Sequence, residues 1–423
     1  MEKLGNYILD IAAGPFGSNL KVECFVPTGF PIIDGANLKS FKVTDNISKF
    51  VTEEKARSLH RSIAQKNDVI VTISGNVGQI SYIPENSKYG EYLVSQRQFR
   101  VTFDTTRIYV PFLVYYFHTK EGQHKILSFA NQTGVPALAQ PLKNFRNIDV
   151  DFPDIVIQKK IANILESIDD KIENNKQIND NLEQQAQALY KSWFIDFEPF
   201  KDGSFVDSEL GLIPEGWQVG TYEQIIQATI SGDWGKDVIT GNYTHKVACV
   251  RGCDFQDMSI GVRGKTPERY ILEKNYQAKK LIDNDVIVEI SGGTSTISTG
   301  RVCLINADLL DKYNNDIVCT NFCKVVRPIQ SYGAYLYYSW KYKYDCRIMF
   351  GYENGTSGIK NFQISDFLCK EPVIIPSESS IKEFQTIIDT LQNNIQTNGS
   401  EIMKLESMRD SLLPKLMSGE LKN

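Results

Sequence analysis

Four thiols have the spacing of a metal site. Three residues separate Cys249 from Cys253, and three separate Cys319 from Cys323; structural zinc is commonly held by cysteine pairs of this kind. Against zinc, Val247–Val250 and Asn321–Val326 read as strands and the first half of the chain has no matching thiols. Buried free cysteines account for the pattern as well, and no metal is expected. His60, His118, His124 and His245 are scattered with no i,i+4 pair, so they read as structural or surface residues. Gly75-Asn76-Val77-Gly78 could turn backbone amides toward an anion; a plain β-turn explains it equally well. The aromatic run Tyr332, Tyr335, Tyr337, Tyr338, Trp340, Tyr342 and Tyr344 could stack bases, but its helical spacing favours packing against a core.

Catalytic motifs are missing. There is no GxxxxGK(S/T) phosphate loop, no HExxH and no GxSxG nucleophile elbow. A DNA methyltransferase would need a glycine-rich cofactor turn and an Asn/Asp-Pro-Pro-aromatic motif to hold a flipped base, and neither is present. The only Pro-Asp dipeptide, Pro153-Asp154, lacks the downstream Glu-x-Lys of metal-dependent nucleases. No catalytic residue is expected.

The elements that position these residues come as a duplication. Asn67–Gly75 reads NDVIVTISG and Asn284–Gly292 reads NDVIVEISG, so the stretch that opens at position 67 recurs at 284 with one change. The same offset aligns Gly35 with Gly252, Asn37 with Asp254, and the Lys-Asn-Phe at Lys143 with that at Lys360. From Pro153, matched with Pro376, a slightly longer offset aligns two helical patterns. Steps of four and three from Ile161 give Ile161, Leu165, Ile168, Ile172, Asn175, Asn179, Leu182, Ala186, Leu189 and Trp193. The second seam runs Phe384, Ile388, Leu391, Ile395, Asn398, Ile402, Leu405, Arg409, Leu412 and Leu416. Both are heptad seams, and helices of roughly 50 Å or more need a partner. Between them, β-branched runs broken by Gly, Asn and Pro (Val69–Ile73, Gln98–Phe103, Val286–Ile290, Phe322–Val326) read as short strands, with one aromatic-rich helix per unit at Val110–His118 and Tyr332–Tyr344.

The 423 residues are enough for two to four cores. A net charge of -5 rules out a generally cationic surface, so any nucleic-acid site must be local. Residues 1–153 carry 17 basic and 14 acidic side chains, and 211–372 carry 18 of each; residues 154–210 hold 6 and 12, and 373–423 hold 5 and 7. The helical parts are the acidic ones. Apolar runs are too short for a membrane span or a secretory signal, and eight sparse cysteines suggest a reducing cytoplasm.

Three stretches resemble the DNA-specificity subunits of type I restriction-modification systems: ALYKSWFIDFEPF (Ala188–Phe200) followed by SELGLIPEGW (Ser208–Trp217), MRDSLLPKLMSGEL (Met408–Leu421), and FPDIVIQKKIANI (Phe152–Ile164). The last is similar to the family's Pro-Pro-Leu-x-Glu-Gln-x-x-Ile helix entry. Gln158 and Ile161 match it, whereas Asp154 and Ile157 stand where the family has Pro and Glu. The Ile-Pro-x-Gly-Trp lead at Ile213–Trp217 has no copy before the first unit.

The resemblance implies an α+β chain: target recognition domains at 1–153 and 217–372, long helices at 154–197 and 373–423 forming an antiparallel coiled coil, and a linker at 198–216. It implies that each domain reads half of a bipartite double-stranded DNA site. It further implies that two modification subunits dock on the helices and restriction subunits join them, with S-adenosylmethionine, ATP and Mg acting through those partners and none bound by this chain. The competing readings are a stand-alone two-headed DNA-binding regulator and a coiled-coil adaptor. Side chains able to reach base edges in glycine-rich or strand-end segments are Asn37, Asn76, Gln79, Gln96, Arg97, Gln98, Asn131 and Gln132 in the first unit. In the second they are Arg251, Arg263, Lys265, Thr294, Arg301, Asn321, Asn354 and Thr356. A pseudo-symmetric antiparallel pairing of the seams places Asn179 opposite Asn398 and Asn175 opposite Ile402. Asn175, Asn179 and Asn398 are therefore expected to set the helix register.

Overall fold

The computed structural model describes residues 1–131, 135–294, 296–313, 316–355 and 359–420. The fold is α+β, and the chain divides into two compact units, one comprising Met1–Asp170 with the chain from Ser407 onward, the other Lys171–Glu406.

The first unit is built on a four-stranded antiparallel sheet in the order Ile8–Ala13, Gln98–Phe103, Val69–Thr72, Ile80–Tyr82. Val69–Thr72 is buried along its whole length, which is why it reads as an unbroken apolar run rather than an alternating one. Val110–His118 forms the expected helix, and its apolar side chains share a core with this sheet. A second, five-stranded sheet runs Phe25–Val26, Phe50–Val51, Phe30–Ile33, Glu91–Val94, Ile63–Gln65, with one parallel pairing at Ile32 and Leu93.

The second unit repeats this plan. Its four-stranded sheet is ordered Ile226–Ser231, Cys323–Pro328, Val286–Glu289, Val302–Leu304, and a parallel pairing recurs between Val247 and Asp316. The duplicated Asn-Asp pair explains the strongest sequence match. Asn67 and Asn284 both adopt left-handed backbone, φ 67° and 68°, a conformation asparagine tolerates. The aspartates that follow close the same turn, Asp68 accepting from the Gln65 amide and Asp285 from that of Ile282, each at 2.9 Å. The Lys-Asn-Phe match is a coincidence of register. Lys143–Phe145 lies in the helix Pro141–Arg146, whereas Lys360–Phe362 is a strand. The strand's counterpart is the Ala137 bridge to Ser74, equivalent to the Asn361 pairing with Ser291.

The long helices span Ile155–Phe194 and Glu378–Ser418, and their starts are related by the same offset that matches Pro153 with Pro376. Asp154 caps the first, its Oδ1 accepting from the amides of Val156 (2.9 Å) and Ile157 (3.0 Å); Ser377 Oγ accepts from Ser380 in the second. None of the seam positions is exposed. The stretch expected as linker holds a hairpin, Phe205–Ser208 with Gly211–Pro214, closed by Gly211 at φ +94°. The central motif is a packing device. Trp193, Phe194, Phe197 and Phe200 gather with Trp217 of the IPEGW segment. At the other end, Leu413 and Leu416 enter the first unit's core and Gly419, at φ +73°, follows the helix end.

Tyrosine hydroxyls tie each lobe to helix carboxylates. In the first unit Tyr82 and Tyr109 donate to Glu166 (2.9 and 3.2 Å) and Tyr115 donates to Asp169, which also receives Arg409 at 2.8 Å. In the second, Tyr338 and Lys341 converge on Glu183 at 2.9 and 2.7 Å. Part of the helices' acidity is thus spent inside each unit. His118, whose Nε2 lies 2.8 Å from the Ile80 carbonyl, has its imidazole held below the ordinary value by burial. The unfolded chain then binds a proton the folded one refuses, so this contribution to stability is intact above about pH 6.5 and is lost as pH falls below it. His118→Gln keeps an NH donor and cannot charge. Urea midpoints at about pH 7.5 and about pH 5.5 should therefore differ less in that variant than in the natural chain; equal differences would remove His118 from the acid limb.

Candidate nucleic-acid interface

In each lobe the sheet's central strand runs into a glycine turn, beside a one-turn helix and a strand entry. In the first lobe the one-turn helix is Gly35–Asn37. Asn37 is buried: its Oδ1 accepts from the Asp34 amide at 3.1 Å and its amide donates to the carbonyls of Thr44 and Asn46. Gln98 is buried too, accepting from Ser95 Oγ and lying 3.5 Å from Thr72 Oγ1. Gln79 reaches back to the Gly35 carbonyl and to Thr72. These three expected readers form the floor of the site, and Asn37 and Gln98 present nothing to solvent. Asn76, Gln96, Arg97 and Asn131 are exposed above it. Their loops are joined by the Ile73 amide to the Arg97 carbonyl (2.7 Å) and the Gly75 amide to the Pro136 carbonyl (3.1 Å). Gln132 lies outside the described residues.

The second lobe fills equivalent positions with charge. Asp254 occupies the place of Asn37 and accepts from the Arg251 amide at 2.9 Å and from its guanidinium at 3.0 and 3.1 Å. Arg301 makes a bidentate pair with Glu289 at 2.6 and 2.8 Å, and the carboxylate raises the guanidinium pKa further. Both arginines were expected to read bases; in this state each is already engaged by a carboxylate. Thr294, Asn321 and Asn354 are exposed, Thr294 Oγ1 accepting from the amides of Thr296 and Ile297. Lys265 is exposed and gives its carbonyl to Arg251. Arg263 is placed apart, its amide against Met403 Sδ of the C-terminal helix and its guanidinium over Tyr313. Thr356 lies outside the described residues.

The thiol quartet is split. Cys249, Cys319 and Cys323 are buried and Cys253 is exposed; burial pushes the thiols of Cys249 and Cys323 up to about 12. Among the described residues no three His, Cys, Asp or Glu side chains converge as a metal cage. His245 lies between Glu273 and Asp316 at 2.7 and 2.8 Å and stacks on Tyr276. The aromatic stripe packs inward as helical spacing suggests, Tyr332 through Trp340 lying in the second unit's core.

Sequence reasoning missed one duplicated element. Gly14-Pro15-Phe16-Gly17 and Gly232-Asp233-Trp234-Gly235 share a Gly-x-aromatic-Gly pattern, one copy in each lobe. Each leads from the edge strand of its sheet across the strand entry. A Cβ on Gly14 would collide with the Ser95 carbonyl, and one on Gly232 with that of Thr320.

The description "Type I restriction modification DNA specificity domain" belongs to a family model that matches residues 25–184. The chain is 25% identical over 385 residues to the type I restriction enzyme MjaIX specificity subunit of Methanocaldococcus jannaschii, covering 88% of this chain and 82% of that one. Over most of its length this chain is similar to the specificity subunits of type I restriction-modification systems. A second relative, the HindI specificity subunit of Haemophilus influenzae, is 25% identical over 402 residues, covering 81% of this chain and 84% of its own. The fold is shared with the S subunit of a type I restriction-modification system from M. genitalium, at a TM-score of 0.52 and 16% identity over 98% of this chain and 95% of that one. Among the described residues, no helix is long and apolar enough to cross a membrane.

Proposed function

We propose that this specificity subunit reads a bipartite duplex, one half with each lobe, and performs no chemistry itself. The paired helices set the spacing between the halves and dock two modification subunits, with restriction subunits joining the assembly in the cytoplasm. S-adenosylmethionine, ATP and Mg act through those partners. The observation that carries this reading is the duplication: two lobes on one strand plan, each offering different polar side chains from the same loops. Bases are distinguished by such donor and acceptor patterns in the grooves, while phosphate contacts supply most of the affinity. Asn76, Gln96, Arg97 and Asn131 are the exposed candidates in the first lobe, and Thr294, Asn321, Asn354 and Lys265 in the second; Arg251 and Arg301 could serve only by exchanging a carboxylate for guanine.

Co-expression with a modification subunit that carries the cofactor motif, followed by mapping of methylated bases, tests the reading. The expected result is one methylated two-part sequence with a gap of constant length. The chain alone should transfer no methyl group from labelled S-adenosylmethionine and leave DNA uncut. Transfer by the isolated chain, or methylation with no two-part pattern, would refute the proposal.

A further inference from the structure

We infer that Phe16 and Trp234 are specificity-determining residues, each set to press an aromatic ring against a distorted base step in its own half-site. This rests on the reading above, in which the lobes bind DNA.

Phe16 is a large apolar side chain left 83% exposed, on a loop that is firmly held. The Gly14 amide donates to the Gln98 carbonyl and the Asn19 amide to the Phe16 carbonyl, both at 2.8 Å. Gly14 has no room for a side chain against Ser95, and Gly17 abuts the Gln96 side chain. The loop therefore presents its ring beside the exposed Gln96-Arg97 pair at the strand entry. The second copy is held by different bonds in the same place. The Asp233 amide donates to the Cys319 carbonyl at 2.8 Å, and Gly235, at φ +61°, donates to Asp233 Oδ1 at 3.0 Å. Arg269 donates to the Trp234 carbonyl and lays its guanidinium 4.2 Å from the indole centroid. A cation so placed braces the ring from one side, and the indole remains 38% exposed.

Exposed apolar side chains recur at a second pair of equivalent positions. Val135 and Ile359, 76% and 63% exposed, hold equivalent positions two residues before the Ala137 and Asn361 pairings that anchor each loop. Exposed apolar side chains kept at equivalent positions in both copies, while the polar residues of the loops change, imply a ligand that offers both lobes the same chemistry. A base stack does so, because every base has a π-face. Apolar side chains wedged at a step unstack it, and the cost depends on which step is opened. Such a contact reads sequence without hydrogen bonds.

The test uses the full chain assembled with its modification subunits and duplexes selected by that complex from a randomised-core library. Phe16→Ala should weaken binding to the selected duplex about tenfold, leave binding to an unselected duplex unchanged, and flatten base preference in one half only. Trp234→Leu, which keeps an apolar body over Arg269, should do the same in the other half. Where 2-aminopurine at the affected step brightens with the natural complex, that signal should be lost in the matching variant. If the natural complex selects a two-part duplex and both variants select it with equal affinity, the inference fails and the function stands. Preference lost in both halves alike, or a lowered melting temperature, would make the rings structural and overturn it. If the natural complex selects no sequence, the function falls first and the inference with it.

Discussion

Exchanging residues 1–153 for the equivalent lobe of a related specificity subunit should change one half of the methylated sequence completely and leave the other half untouched. The first unit contains its own sheets and three core clusters, so its readers do not depend on side chains of the second lobe. The graft is not free of the helices, however. Ala162, Leu165, Leu413 and Leu416 belong to the first core, Gln158 Oε1 accepts from the Tyr109 amide at 2.9 Å, and Glu166 and Asp169 receive three tyrosine hydroxyls. A donor lobe without hydroxyls at the places of Tyr82 and Tyr109 removes both of these donors from the partly buried Glu166, a cost of about 1–3 kcal/mol, whereas Asp169 without Tyr115 keeps Arg409. Donors that retain them should give hybrids that melt near the parent. Sequencing of methylated positions after co-expression with the modification subunit reads the outcome, and a hybrid altered in both halves would show that the lobes are not independent readers.

What was legible in the sequence was whatever a local rule enforces. Val110–His118 and both long helices follow from periodicity, while the caps Asp154 and Ser377 came only with the structure. NDVIV repeats because a left-handed Asn and a turn-closing Asp are both needed before a fully buried strand. The readers were harder, because side-chain destination is decided by tertiary neighbours. Asn37 has a base reader's chemistry but closes a one-turn helix. Its alignment with Asp254, which does the same job, was the available clue. The Gly-x-aromatic-Gly repeat stands in the sequence, but its role was not legible because its glycines answer to the carbonyls of Ser95 and Thr320, far along the chain in each case, and no local pattern records that contact.

The middle of the helix pair is where a single substitution should cost most. Asn398 donates to Asn179 Oδ1 at 2.8 Å, and Asn179 Nδ2 lies 2.9 Å from the Ile260 carbonyl and 3.2 Å from that of Ile395. Asn175 reaches Glu401 rather than Ile402, at 2.8 Å. The fully buried Asn179 thus joins both helices to the second lobe's loop. Gly399 makes that junction possible. A Cβ there would fall 2.7 Å from the Gly261 Cα and closer still to its carbonyl, and both partners are backbone, which cannot rotate aside. Lys312 completes the clasp, donating to the carbonyls of Gly261 and Gln396 at 2.7 Å each. Glycine inside a helix ordinarily costs about 1 kcal/mol relative to alanine, so Gly399→Ala would stabilise an open helix surface. Here we predict the reverse, a loss of about 2 kcal/mol after that gain, with more for Gly399→Val, because overpacking must push the loop away. Asn179→Leu should cost about 2–5 kcal/mol by stranding the Asn398 amide and the Ile260 carbonyl. The Asn179→Leu, Asn398→Leu pair removes the stranded amide but also the polar match that selects one register. A slip of one heptad is about 10 Å of helix, or about three base pairs of duplex, so the double variant should tolerate gaps of more than one length between the half-sites. A methylation map with one unaltered gap, from a double variant that melts like its parent, would show that the asparagines do not set the register.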